Sequence, residues 1–409
     1  MRKTFTTSTA LGAGLAVAAL ALTATPAAAT NGYMGICVGA KNCGMAGAGV
    51  ALPQDATSGV INPALMGRVK NQVTVSPGWF HPERSLDRSG ATNNSLPKAN
   101  EDSQHENFME GSAGVNYHVS PEVTLGLSAS GSGGMDTKYE TSRTGTGFGV
   151  NGYDSEVTYR LLHVKPTATW APNDWSAYGA SVNIGWADFK SNMATNNNFA
   201  QTAGNNKRES IWGIGFTLGG LWDANEQLSF GASLSSPTWF QYFDNYGDLF
   251  LGSLDVPAHG TVGFVYRPTP QTDIAFDIKY IAWSTVYPIG KTPAAGGFGW
   301  ESEPVFMLGA QHRLNDQYTV RAGYNYGPSP VHENVVFANG LFPAVTEHHF
   351  SVGASYVPSP KWELSASFFY ALNNKVTDNG SGDQYSQMGE GVSVDMWQMG
   401  GQVGISYNF

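Results

Sequence analysis

Trp397-Gln398-Met399-Gly400-Gly401-Gln402-Val403-Gly404-Ile405-Ser406-Tyr407-Asn408-Phe409 closes the chain, and its parity decides the fold. In an extended strand Trp397, Met399, Gly401, Val403, Ile405, Tyr407 and Phe409 share one face. Gln398, Gly400, Gln402, Gly404, Ser406 and Asn408 share the other, because successive side chains alternate across a strand. One face is greasy and one is polar. Such a strand, aromatic near both ends, suits a wall between lipid and a wet lumen, where a closed barrel leaves no backbone edge to desolvate.

Working back from this strand, one rhythm repeats from about residue 72 onward: an alternating segment, a short polar turn, another alternating segment, a long loop. The short turns are Ser120-Pro121-Glu122, Ala171-Pro172-Asn173-Asp174, Asp223-Ala224-Asn225-Glu226, Arg267-Pro268-Thr269-Pro270, Leu314-Asn315-Asp316-Gln317 and Val357-Pro358-Ser359-Pro360. All are rich in residues that favour tight turns. Long connections fall near 81–108, 134–154, 189–207, 236–260, 284–304, 327–347 and 372–392. Six short turns and seven long loops predict an all-β, 14-stranded antiparallel transmembrane β-barrel with both barrel ends on the periplasmic side. The strands are expected near 72–80, 109–119, 123–133, 155–170, 175–188, 208–222, 228–235, 261–266, 272–283, 305–313, 318–326, 348–356, 362–371 and 393–409. Parity then sends Met109, Tyr117 and Val119 outward and Glu110, Ser112, Asn116 and His118 inward.

Composition agrees with this reading. A mean hydropathy of -0.22 would suit a soluble protein, but 50 Gly, 11 Trp, 18 Tyr and 21 Phe with only 13% charged residues do not. Alternating barrels hide their hydrophobicity from averages in this way. Met1-Arg2-Lys3, an apolar run from Ala10 to Leu22 and Pro26-Ala27-Ala28-Ala29 read as a signal peptide over 1–29, with the mature chain starting at Thr30. That run is shorter than the ~20 residues a spanning helix needs. Without Arg2 and Lys3, 20 basic residues face 32 acidic ones, which argues against a nucleic-acid partner. The terminal Phe409 resembles the assembly signal read by the barrel-assembly machinery, and outer-membrane lipid and lipopolysaccharide are the expected surroundings of a monomer. Cys37 and Cys43 sit close together in an exported segment; a local disulfide is expected, with free or metal-bound thiols as the alternatives.

Residues 30–70 break the rhythm. They are rich in Gly, Ala and Pro, and Asn62-Pro63-Ala64 reads as a helix start with Asn62 as N-cap and Pro63 in the first turn. So short a stretch cannot form its own core and is expected to pack as a hatch inside the barrel of residues 71–409.

At this point the chain resembles the FadL-type outer-membrane transporters of long-chain fatty acids and other hydrophobic compounds. The likeness rests on Gly44-Met45-Ala46-Gly47-Ala48-Gly49-Val50-Ala51, Asp55-Ala56 and Asn62-Pro63-Ala64 near the N-terminus. Pro257-Ala258-His259-Gly260-Thr261-Val262-Gly263, Trp283-Ser284, the run Leu308 to Leu314, Arg321-Ala322-Gly323-Tyr324, Pro343 through His348 and Ser351-Val352-Gly353 follow in order. The resemblance implies a 14-strand barrel with an N-terminal hatch, a hydrophobic capture site on the outer loops, a pocket beside the hatch, and a kinked third strand that opens the wall sideways. Gly131, Ser132, Gly133 and Gly134 end the expected third strand and are the candidates for that opening; the bland alternative is a glycine run leading into a loop. Cys37 and Cys43 depart from the family pattern.

Trp239, Phe240, Tyr242, Phe243 and Phe250 make the loop at 236–260 more apolar than a solvated loop needs to be, so they are candidates for capture or for a packed cap. Arg160, Lys279 and Arg321 fall inward by parity and are candidates for binding a carboxylate, or for balancing luminal acids such as Glu156 and Asp277. A lipid hydrolase is the competing class, but there is no Gly-x-Ser-x-Gly elbow, metal-type His spacing or phosphate loop. The sequence reading is therefore a passive channel for hydrophobic small molecules, fatty acids first and aromatic hydrocarbons as the alternative, with no cofactor and no metal.

Overall fold

A computed structural model describes residues 31–96, 98–140, 155–191, 207–247 and 249–409. The expected signal peptide and its junction with Thr30 lie outside these residues. Fourteen strands form the wall. They are β1 (Gln72–Asp87), β2 (Phe108–His118), β3 (Val123–Tyr139), β4 (Ser155–Asn173), β5 (Ser176–Ser191), β6 (Glu209–Asn225) and β7 (Leu228–Ser235). The second half adds β8 (His259–Thr269), β9 (Thr272–Ile281), β10 (Glu303–Arg313), β11 (Tyr318–Tyr326), β12 (His348–Ser359), β13 (Trp362–Thr377) and β14 (Ser393–Asn408). Each pairs antiparallel with its neighbour in sequence, and β14 returns to β1 from Gln72↔Asn408 to Asp87↔Ser393, closing the barrel.

Parity holds on the wall. On β14, Val403 and Ile405 are 57% and 50% exposed, whereas Gln398 and Ser406 are 1% and 2% exposed. Several strands run past their expected ends: β1 continues to Asp87, β3 to Tyr139 and β13 to Thr377. The apolar alternation used to find strands tracks the lipid, while main-chain pairing satisfies N–H and C=O groups well beyond it. Two short strands add to the wall at the long-loop end. Asn100–Asp102 pairs with Ser85–Asp87, and Trp239–Phe240 pairs with Gly213–Ile214.

Residues 31–70 contribute no strand to the wall. A short helix, Gly39–Cys43, and a 3-10 turn, Pro63–Arg68, carry them across the inward-facing side chains at the short-turn end. Main chain meets main chain there. A Cβ at Gly114 would overlap the Ala56 carbonyl, one at Gly179 would overlap Pro63, and one at Gly323 would overlap Met45. At the long-loop end the molecule is closed by an apolar core that includes Phe189, Phe243, Phe250, Phe298, Phe342 and Trp300.

Candidate functional site

The wall has one irregular seam. Pairing of β2 with β3 runs from His118↔Thr124 to Ser112↔Ser130 and stops there, so Phe108 to Gly111 have no partner on β3. On its other side β3 shifts register against β4 between Gly131 and Gly133, which leaves Ser132 as an extra bulged residue. The glycine run therefore lies inside a strand that continues to Tyr139, and it does not lead into a loop. The place left by β2 is taken by the N-terminal segment: Met34 bridges Gly133, and Gly134 N–H donates to the Tyr33 carbonyl at 2.9 Å.

Behind the seam lies an internal cavity of about 110 Å³. Met34, Ile36, Val60, Ile61, Leu161, Val256 and Met307 supply its apolar lining. Its polar lining includes His163, Lys165, His259, Asp277 and Lys279. Asp277 is fully buried and accepts the main-chain N–H groups of Gly49 and Val50 at 2.7 and 2.8 Å. The expectation that a luminal cation neutralises Asp277 is thus corrected, because turning backbone amides toward it does that work. Lys165 donates to the Val60 carbonyl at 3.3 Å. Lys279 makes no hydrogen bond or ion pair among the described residues.

The remaining sequence candidates separate. Arg160 donates to Asp188 at 2.9 Å rather than to Glu156, which pairs with Lys190 at 2.8 Å. Arg321 is held by Gln311 at 3.1 Å and Ser355 at 2.7 Å, away from the cavity lining and beside Gly44. Lys279 alone of the three lines the cavity. The side chain of Asn62 accepts from Ala64 N–H at 3.0 Å, as an N-cap with Pro63 next to it, and its amide donates to Val50 and Gly220 carbonyls at 2.8 and 3.0 Å. Cys37 and Cys43 are joined by a disulfide.

In the apolar loop, Phe240, Phe243 and Phe250 are buried, and Phe250 packs edge-on against Phe189 with centroids 4.8 Å apart. Trp239 pairs with outward-facing Ile214, which puts its ring on the outer surface of the wall, while Tyr242 is exposed. A single rim of capture rings is therefore not what these five residues form. The loop reaches the cavity instead through Thr238, Val256 and His259, and its main chain holds the N-terminal segment. Tyr33 donates its hydroxyl to the Asp255 carbonyl at 3.0 Å, and burial raises the Tyr33 pKa, which keeps the phenol a donor. Burial also raises the Asp255 carboxyl, which accepts Phe240 N–H at 2.8 Å.

His163 and Lys165 were missed as site residues because Arg160 was expected to face inward. β4 has no register shift against β5 before Trp170, so residues of odd and even number lie on opposite faces. The cavity takes His163 and Lys165, and the inward placement of Arg160 is corrected. His163 joins three parts of the molecule. Its Nδ1 lies 2.7 Å from the bulged Ser132 hydroxyl and its Nε2 lies 3.1 Å from the Thr238 hydroxyl of the loop. A hydrolytic Ser–His pair needs a group that orients and charges the imidazole, and Thr238 occupies that nitrogen with a neutral hydroxyl.

Comparison with known proteins agrees with this architecture. The family described as outer membrane protein transport protein (OMPP1/FadL/TodX) matches residues 20–409. No curated protein matches the chain in sequence. Among solved structures, a Pseudomonas aeruginosa FadL homologue is 15% identical with a TM-score of 0.70, covering 92% of this chain and all 100% of its own. The P. putida toluene transporter TodX is 14% identical with a TM-score of 0.67, covering 91% and 99%. The Ralstonia pickettii toluene transporter TbuX is 17% identical with a TM-score of 0.63, also covering 91% and 99%. At these identities the structures share the fold.

Proposed function

We propose a cargo from one premise: the chain belongs to the OMPP1/FadL/TodX family of outer-membrane transport proteins and is a bacterial outer-membrane channel for hydrophobic compounds, not an enzyme. The proposed cargo is a hydrophobic acid, with long-chain fatty acids as the leading class. The observation that carries this is the imbalance of charge in the cavity. Lys165 and Lys279 line it with Asp277 as the acid, and Asp277 is already engaged by two backbone amides. A cation removed from water needs an anion or a dense set of acceptors, and a carboxylate entering among the apolar side chains supplies the anion.

In this reading residues 30–70 act as a hatch that blocks a straight path, and the seam at Gly131 to Gly134 is the way out, sideways into the membrane. The cavity holds a head group and a few methylenes, so the rest of a long chain extends toward the seam past Ile36. A second reading has its own observation. The volume of about 110 Å³ is on the scale of cavities that take a single aromatic ring, and two of the similar structures are described as toluene transporters.

Uptake of labelled fatty acid and of a neutral monoaromatic, by cells lacking the gene and by cells complemented with wild type or Lys165→Met/Lys279→Met, separates the two. The acid reading expects the double variant to lose fatty-acid uptake and keep aromatic uptake. Equal uptake of fatty acid by wild type and variant would overturn it.

A further inference from the structure

Where β2 leaves β3, the chain completes its own wall. Gly35 N–H donates to the Ser132 carbonyl at 3.2 Å, Gly134 N–H donates to the Tyr33 carbonyl at 2.9 Å, and Met34 bridges Gly133. This is strand addition: an unpaired edge is satisfied by an extended segment laid along it. Ile36 follows directly and packs with Phe80, Phe108 and Phe369. A molecule leaving the cavity through the seam has to pass this segment. Among the described residues two main-chain hydrogen bonds tie it to β3, and the Tyr33 hydroxyl adds a third tie to the Asp255 carbonyl, so undocking it is a local opening that breaks no strand pairing of the barrel.

The next covalent fixture limits that opening. Cys37 lies two residues beyond Gly35 and is bonded to Cys43, at the end of the helix Gly39–Cys43. The helix itself is fixed to the barrel. Lys41 pairs with Glu363 at 2.5 Å and donates to the Gln54 carbonyl at 3.0 Å, and Gly44 packs against Gly353.

We propose that the Cys37–Cys43 disulfide is a tether that sets how far Tyr33 to Gly35 can leave the seam, and thereby the largest hydrophobic molecule the channel passes. Extended chain spans at most ~3.5 Å per residue, so the two residues from Gly35 to Cys37 release roughly 7 Å, whereas the six from Gly35 to Lys41 would release roughly 20 Å. The shorter reach suits one alkyl chain or one ring. The longer would admit fused-ring and branched acids. The tether deepens the sideways-exit reading above and rests on it.

The test uses the full-length protein in lipid vesicles, as wild type, as wild type reduced by a phosphine, and as Cys37→Ser/Cys43→Ser. Hydrogen exchange at the Gly35 and Gly134 amides is measured with no cargo present, and uptake is measured for a straight-chain fatty acid and a four-ring sterol acid. Breaking the disulfide is expected to speed exchange at both amides roughly tenfold. It is also expected to raise sterol-acid uptake relative to straight-chain uptake. Reduction of the already folded wild type supplies the result if the serine variant assembles poorly. Unchanged exchange overturns the tether, and faster exchange with an unchanged size ratio overturns its role as a size limit. A wild type that carries neither acid breaks the cargo reading instead, while exchange at the two amides still decides the tether.

Discussion

The two ends of the barrel are filled by opposite means. At the short-turn end, irregular main chain is docked by directional polar contacts. Asn116 donates to the Val69 and Met66 carbonyls at 2.6 and 3.1 Å, Thr169 donates to the Pro63 carbonyl at 2.6 Å, and Asp277 accepts from Gly49 and Val50. At the long-loop end aromatic packing predominates, with Phe298 4.6 Å from Phe342 and Trp283 5.2 Å from Trp300, while buried Asn339 takes the Trp300 N–H and donates to the Phe298 and Val335 carbonyls. The difference follows from what each end must satisfy. Backbone threaded through a lumen brings many unpaired N–H and C=O groups that need partners, whereas loops that seal a mouth exclude water with rings and need only a few such partners, here Asn339 and Asp378.

If this contrast is right, deletions at the two ends fail differently. Phe298→Ala should be the most damaging, removing about 3–5 kcal/mol from the cap by leaving a cavity. Limited proteolysis should then cut the loop near 284–304 while the heat-modifiable barrel persists; an uncut loop would show the cap is not a cooperative core. Asp277→Ala should cost about 3 kcal/mol, since two buried amides lose a charged acceptor. Cleavage within residues 45–55 should appear without cleavage of the cap, and simultaneous loss of both would erase the distinction between the ends.

Asn62→Ala sharpens the picture at the docked end. An N-cap alone is worth about 1 kcal/mol, but Asn62 also donates to Val50 and Gly220, so about 2 kcal/mol is expected. Urea titration of protease protection in residues 45–70, with Asn62→Ser retaining the cap without the two donated bonds, distinguishes the two values. The smallest effect should come from Trp239→Ala. Its ring faces outward beside Ile214, so stability should stay within about 0.5 kcal/mol, and uptake should match wild type. A large fall in uptake would restore this ring to a capture role.

The wall was legible because lipid imposes a strict period of two, visible in Val403, Ile405 and Tyr407 against Gln402, Gly404 and Ser406. Strand ends were less so. Beyond the bilayer the side chains of Glu83 and Arg84 obey no apolar rule, though their main chain still pairs with β14. The glycines at 131, 133 and 134 could be read as a bulge or as a loop, and the register shift against β4, with pairing that resumes as far as Tyr139, distinguishes the two. Charge pairing was legible only by face. Parity placed Lys279 and Arg321 on the inner face but misassigned Arg160, whose strand turns His163 and Lys165 inward instead, and Asp277 proved to serve backbone amides that no side-chain pattern reveals.

The indentations at Gly114, Gly179 and Gly323 make the inner wall a mould of one particular filling. A side chain gained at any of them would evict Ala56, Pro63 or Met45, and a shifted segment would in turn leave those recesses empty in the middle of the protein. The two parts are therefore bound to change together over evolutionary time, as a lock and its key must be recut as a pair. Variation in what the channel carries should then accumulate where the casting is loose, around the seam and the outer loops.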